Sequence, residues 1–205
     1  MTSLENDRAK MNHDTYDDNY IRGILDGVKT IAMVGASPVN VRPSYFAFKY
    51  LAQRGYDMIP VNPGQVGKSL MGKPFVASLA EIDRPVDMVD IFRNSDAALQ
   101  LVKDALALDP LPKVIWMQLG VRNDEASALA EAAGLKVVMN RCPKIEYGRL
   151  SSEISWMGVN SRTLSSKRAP IPTQGMRLSL NRVSVSGGGT GAADRAAQLR
   201  DDKKQ

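Results

Sequence analysis

From Tyr16 onward the chain keeps a strict order of apolar and polar positions. Tyr20, Ile21, Ile24, Leu25 and Val28 fall at helical spacing, so Tyr16 to Val28 is expected to be an amphipathic helix. Short apolar runs and helical stretches then alternate. Thr30–Gly35, Met58–Val61, Val86–Phe92, Val114–Gln118 and Lys136–Met139 read as strands, while Ser44–Arg54, Ser95–Leu108 and Asp124–Ala133 read as helices. Asn94 with Ser95, and Asn123 with Asp124, offer oxygens that can cap helix starts; Gly55 and Gly134 can end the helices before them. Continuous apolar strands alternating with helices are the mark of a parallel sheet covered on both faces. The expected fold class is therefore α/β: a doubly wound, mostly parallel five-stranded sheet with helices on both faces.

The pattern is absent at both ends. Residues 1–16 are polar without an apolar period and are expected to be disordered, which sets the domain at residues 17–152. Residues 153–205 read as an irregular or flexible basic extension, with one weak strand candidate at Met176–Val185. No internal repeat is found.

Charge changes the picture only once it is located. The net +5 lies in the tail, where Asn160 to Gln205 holds nine Lys and Arg against three Asp. The other 159 residues hold 18 basic and 19 acidic side chains, a net of −1. The tail's charges are dispersed and without aromatics, so nucleic acid is not an expected partner and a solvated appendage is the plainer reading. No apolar run nears the roughly 20 residues that cross a bilayer, and the polar start lacks the apolar core of a signal peptide. The expected location is cytoplasmic. A single cysteine, Cys142, leaves no intrachain disulfide or Cys-rich metal site.

In a doubly wound sheet, ligands bind beyond the carboxyl ends of the strands. Here those ends are Gly35-Ala36-Ser37, Val61-Asn62-Pro63, Ile91-Phe92-Arg93, Met117-Gln118-Leu119-Gly120 and Asn140-Arg141-Cys142. The first opens a loop suited to phosphate. Gly35 allows close backbone approach, Ser37 adds a hydroxyl, Arg42 a cation, and Pro43 suits the first turn of the next helix. A plain tight turn is the competing reading. NAD fits poorly: from Gly35 the chain reads G-A-S-P-V-N, and the second strand ends in Asn62-Pro63 where a ribose-binding acid is wanted. "GQVGKS" at 64–69 has its glycines too close for a nucleotide-triphosphate loop and reads as a surface turn.

Catalytic groups are scarce. His13, the one histidine, falls in the expected disordered start, so no histidine-based triad or metal site can be built. Asp87 and Asp90 lie three apart on the third strand and read as strand-end or capping residues rather than an acid/base pair.

"IAMVGAS" with "RPSY", "GYDMIPVNP", "SLAEI" with "VDMVDIFR", "VIWMQLGVRN" and "AGLKVVMNRCPKIEY" follow one another from Asp17 to Leu150. This set resembles the small CoA-binding protein family, whose Rossmann-like fold is similar to the CoA-binding domain of the succinyl-CoA ligase α subunit. The resemblance implies coenzyme A or an acyl-CoA as ligand. Gly35, Ala36 and Ser37 would supply amides to the pyrophosphate, Arg42 would pair with phosphate, and Asn62 and Pro63 would receive the adenosine end. Phe92 and Arg93 would stack on or clamp the nucleotide, and Trp116, Met117 and Gln118 would border the pantetheine path. Each has a plainer alternative: Trp116 as core, Arg93 bridging to Asp96, Arg141 paired with Glu146, and Cys142 as a buried thiol rather than a partner in a mixed disulfide. The ligase relatives also use a second domain and a phosphorylated histidine, for which this chain has no suitable residues, so acyl-CoA synthesis is not expected.

The expected function is a non-catalytic CoA or acyl-CoA binding module, regulatory or serving an enzyme partner, with a homodimer possible. Two alternatives stand beside it: an NADP-dependent oxidoreductase with Arg42 or Arg93 on the 2′-phosphate, and a ligand-free scaffold that engages partners through its basic tail.

Overall fold

The computed structural model describes residues 11–151. The first ten residues and the whole of the basic extension, the weak strand candidate included, lie outside the described residues.

The chain forms α1 (Asp18–Gly27), β1 (Thr30–Val34), α2 (Pro43–Gln53), β2 (Asp57–Val61), β3 (Ser69–Leu70), β4 (Lys73–Pro74), β5 (Met88–Ile91), α3 (Ser95–Leu106), β6 (Val114–Met117), α4 (Asp124–Ala132), β7 (Lys136–Val138) and α5 (Pro143–Leu150). Five strands make one sheet in the order β2-β1-β5-β6-β7, every pair parallel. The order reverses direction between β1 and β5, which makes their carboxyl ends the switch point.

Burial explains why the strands carry no polar face. β5 and β6 are buried at every position, and β1 and β2 at all but their first. One face packs Ala98, Val102 and Ala105 of α3 and Ala126 and Ala130 of α4 against Val89, Ile91, Ile115 and Val137. The other packs Ile21 and Ile24 of α1 and Phe48 and Leu51 of α2 against Ile31, Met33, Met58, Met88 and Trp116. Small alanines let α3 and α4 sit close to the sheet, while the opposite layer takes the larger side chains.

Helix ends follow the sequence signals at Asn123, Gly55 and Gly134 but not at Asn94. Asn123 caps α4 by accepting from the Ala126 N–H at 2.9 Å. Asn94 precedes α3 without a side-chain cap bond. Gly55 and Gly134 adopt φ of +91° and +87° just past α2 and α4, the left-handed conformation that closes a helix.

The β3–β4 hairpin was not expected from the pattern, because two-residue strands carry no detectable period. It brings Val76 back to β2, where the Val76 N–H donates to the Pro60 carbonyl at 3.1 Å and its carbonyl accepts from Asn62 N–H at 2.9 Å. That covers the sheet edge on which Pro60 sits. Helix α5 was missed as well; Pro143 at its first turn was the available signal.

The expectation of disorder up to residue 16 is corrected for residues 11–16. His13 is buried, with Nε2 2.7 Å from Ser127 Oγ and 3.1 Å from Glu131 Oε1, and Nδ1 2.9 Å from the Tyr16 hydroxyl. The Tyr16 hydroxyl accepts from the buried Met139 N–H at 2.7 Å. The segment is held by polar groups and ring contacts, which leave no apolar period to read. Tyr16→Phe keeps the ring but strands the Met139 N–H. It is expected to cost about 1–2 kcal/mol, read as a lowered urea midpoint with an unchanged m-value.

Candidate functional site

The switch point is built on one close contact. Gly35 has φ +88°, and a Cβ there would run into the Phe92 carbonyl oxygen and lie 3.0 Å from Arg93 Cδ. The Gly35 N–H donates to the Val61 carbonyl and the Phe92 N–H to the Val34 carbonyl, each at 2.8 Å. The β1 end is thereby fixed to both neighbours, and the Gly35 amide is already engaged with protein. Among the described residues no hydrogen bond occupies the Ala36 and Ser37 N–H groups, which leaves those two of the three expected phosphate donors.

Asn62 holds this turn. Its Nδ2 donates to the Ala36 carbonyl at 2.8 Å and its Oδ1 accepts from Gly64 N–H at 3.0 Å. A carboxylate could not make the first bond. Ser37 turns its hydroxyl back to accept from Val39 N–H at 3.2 Å. Arg42 is exposed at the N-cap of α2, with Pro43 beginning the helix.

Two cavities open at this end of the sheet. The larger, of about 570 Å³, lies between the starts of α2 and α5 and is lined by Val41, Pro43, Phe46, Ala47, Phe92, Arg93, Gln118, Leu119, Val121, Cys142, Lys144 and Ile145. The smaller, of about 270 Å³, lies on the α3 side and is lined by Gly35, Asn62, Pro63, Ser78, Ala97, Gln100 and other residues, Arg93 among them. Arg93 thus belongs to both, and it makes no ion pair or hydrogen bond among the described residues; the alternative bridge to Asp96 is not formed. Lys144 adds a second cation to the larger cavity, its Nζ 5.9 Å from the Phe46 and Tyr50 ring centres.

Of the residues expected from sequence, the two cavities bring together Gly35, Pro43, Asn62, Pro63, Phe92, Arg93 and Gln118. Trp116 is not among them. It is fully buried in the core, and its indole N–H donates to the Arg141 carbonyl at 2.8 Å. Arg141 in turn donates to the Asp14 carbonyl at 3.0 Å, with its guanidinium 5.5 Å from the Tyr16 ring centre. Lys144, Phe46 and Val41 were missed because they lie one turn past a strand end or inside a helix start.

Asp90 departs from its expected role. Asp87 does act at a strand start, accepting from Lys29 and Thr30 N–H groups at 2.8 and 3.0 Å. Asp90 instead is fully buried within β5; its Oδ1 accepts from Gln118 Nε2 at 2.8 Å, and Oδ2 has no partner among the described residues. Burial pushes its carboxyl up to about 7, against the pull of the Gln118 hydrogen bond. Burial, with the charge of Asp90 adding to it, also pushes the Cys142 thiol up to about 11, which makes it a poor nucleophile at neutral pH.

Residues 29–148 match the model of the CoA binding domain. This chain belongs to that family. The match spans the whole sheet and both cavities. The uncharacterized protein YneT of Bacillus subtilis (strain 168) is 37% identical over 127 residues, covering 62% of this chain and 91% of that protein. A solved Thermus thermophilus protein, cell-free ID.343, is 38% identical with a TM-score of 0.62, covering 66% of this chain and 99% of its own. A hypothetical protein from Pyrococcus horikoshii OT3 is 37% identical with a TM-score of 0.63, covering 69% of this chain and 96% of its own. The CoA-binding domain therefore forms the body of the described residues, and no helix among them is long and apolar enough to cross a membrane.

Two outcomes test this construction. Gly35→Ala is expected to cost at least about 2 kcal/mol, from the left-handed backbone and the collision with Phe92, and to lower the melting temperature. Asp90 binds its proton in the folded state up to about 7 but ordinarily only to 3.8, so its contribution to stability is full below 3.8 and lost as pH rises through 7. Asn has no such proton. Asp90→Asn should therefore gain on wild type by about 2–3 kcal/mol between about pH 5 and about pH 8, measured by urea unfolding at both.

Proposed function

We propose that the chain binds coenzyme A, or an acyl-CoA, across the switch point as a non-catalytic module that regulates or serves an enzyme partner. The observation that carries this reading is the pair of cavities meeting at Arg93 in a chain of the CoA binding domain family. The adenosine end takes the smaller cavity beside Asn62 and Pro63. Arg93, the Ala36 and Ser37 amides and, at the start of α2, Arg42 answer the phosphates. The pantetheine arm takes the larger cavity, along Phe92 and Gln118, with Lys144 at its side. The groups that line the larger cavity suit holding rather than chemistry: Arg93 and Lys144 are cations, Gln118 is an amide, and the Cys142 thiol is held protonated at neutral pH.

Isothermal titration with CoA, acetyl-CoA, NAD and NADP tests the reading. CoA is expected to bind with micromolar affinity. Arg93→Ala should weaken it about tenfold or more, since a charge-assisted bond to phosphate contributes about 1.5–3 kcal/mol. Arg42→Ala should have the smaller effect. Preference for NADP over CoA would replace this reading with the oxidoreductase one.

A further inference from the structure

A buried acid in the middle of β5 needs a reason. The neighbours of Asp90 in register are Met33 on β1 and Trp116 on β6, both fully buried and apolar in character. The sheet could be closed by a third apolar residue at this position at lower desolvation cost. A carboxyl with one oxygen unpartnered is a half-satisfied polar group, and such groups persist where they position something else.

What Asp90 holds is Gln118. Gln118 as a residue is 5% exposed; its Nε2 donates to Asp90 Oδ1 at 2.8 Å, and it lines the larger cavity. A carboxamide has two N–H donors and an acceptor oxygen. With one donor tied to Asp90, one donor and one acceptor remain for an occupant of the cavity. The wall around it is largely apolar, with Phe46, Phe92 and Val121 contributing. A donor and an acceptor side by side in an apolar wall match a secondary amide, which presents its own C=O and N–H together. An acyl chain or a phosphate offers no such match.

Resting on the CoA reading above, we propose that Asp90 is a positioning residue that fixes the Gln118 carboxamide, and that Gln118 pairs with a secondary amide of the pantetheine arm. The cavity then recognises the arm itself, so pantetheine-bearing ligands are separated from plain nucleotides whatever acyl group they carry. The titratable group that faces Asp90 is the Cys142 thiol at the start of α5; β1 and β6 present Met33, Trp116 and Gln118. Through the neutral range Asp90 is accordingly the member of this cluster whose charge changes, and protonation removes the strong acceptor that holds the Gln118 N–H.

The test compares CoA with adenosine 3′,5′-bisphosphate, which has the nucleotide end and no arm. Gln118→Met is expected to weaken CoA tenfold or more and leave the bisphosphate within twofold of wild type. The double variant Asp90→Asn/Gln118→Met, which leaves no buried charge without its partner, should show the same split and guards against misfolding of the single variant. The ratio of CoA to bisphosphate affinity in wild type, divided by the same ratio in Asp90→Asn at each pH so that titration of the ligands' own phosphates cancels, should fall as pH drops through about 7. Equal losses for both ligands would make Gln118 a structural residue and overturn the proposal, as would unchanged CoA affinity. Wild type that binds neither ligand would instead overturn the CoA reading, and this proposal with it.

Discussion

The approach of Gly35 to the Phe92 carbonyl is the contact on which the rest of the site depends. The sheet grows outward from β1 in two directions, to β2 on one side and through β5 to β7 on the other. Where the two directions part, the chain leaving β1 must turn tightly enough for its backbone to lie against the end of β5. A side chain at Gly35 would fill that contact. Because the turn lies flat, the Ala36 and Ser37 amides and the start of α2 gather at the same end as Phe92 and Arg93. The crevice is a consequence of topology, and glycine is the residue that lets it close.

Asn62 extends this logic to the neighbouring strand. Its amide N–H reaches across to the Ala36 carbonyl while its oxygen receives Gly64 N–H, so one side chain ties the β1 turn to the loop after β2. In sequence this position argued against NAD because it lacks a carboxylate. In the structure it does a second thing: it fixes the relation between two loops that wall the smaller cavity. The rigidity of this part of the candidate site comes from an amide standing where an acid could not donate to the Ala36 carbonyl.

The sheet was legible because its strands are buried on both faces, and short, continuous apolar runs between polar helix starts leave few other readings. The lining of the two cavities was legible where it coincides with strand ends, as at Gly35, Asn62, Phe92, Arg93 and Gln118. Trp116 shows the limit of that rule. It stands two residues before Gln118 on the same side of β6, but one full step deeper, and its indole is spent on the Arg141 carbonyl. His13 and Asp14 show another limit, since they are anchored by partners 108 to 127 residues away in sequence. Local pattern carries no trace of such pairings. Asp90 was misread for a related reason: its spacing to Asp87 says which face it takes, whereas its burial depends on what covers that face.

The placement of charge at this end of the sheet reconciles a buried acid with the polyanionic ligand proposed above. An ionised carboxylate facing the crevice would repel phosphates. Asp90 is instead enclosed, held near 7 by burial, and separated in role from the cavity by Gln118, which lines the wall in its stead. The larger cavity presents Arg93 and Lys144 and no carboxylate, while the smaller one carries Arg93 and, on α3, Asp104, whose Oδ1 accepts from Gln100 Nε2 at 2.8 Å. Outside the basic extension the chain is almost neutral, at −1 over 159 residues, so attraction of an anion must be local rather than a field of the whole molecule. Local cations at the switch point, with an acid kept beneath an amide, meet that requirement without making the surface broadly basic. On the CoA reading proposed above, such a site selects its ligand by the position of the phosphates and by the polar groups of the arm that follows them, which net charge alone would not distinguish from other nucleotides.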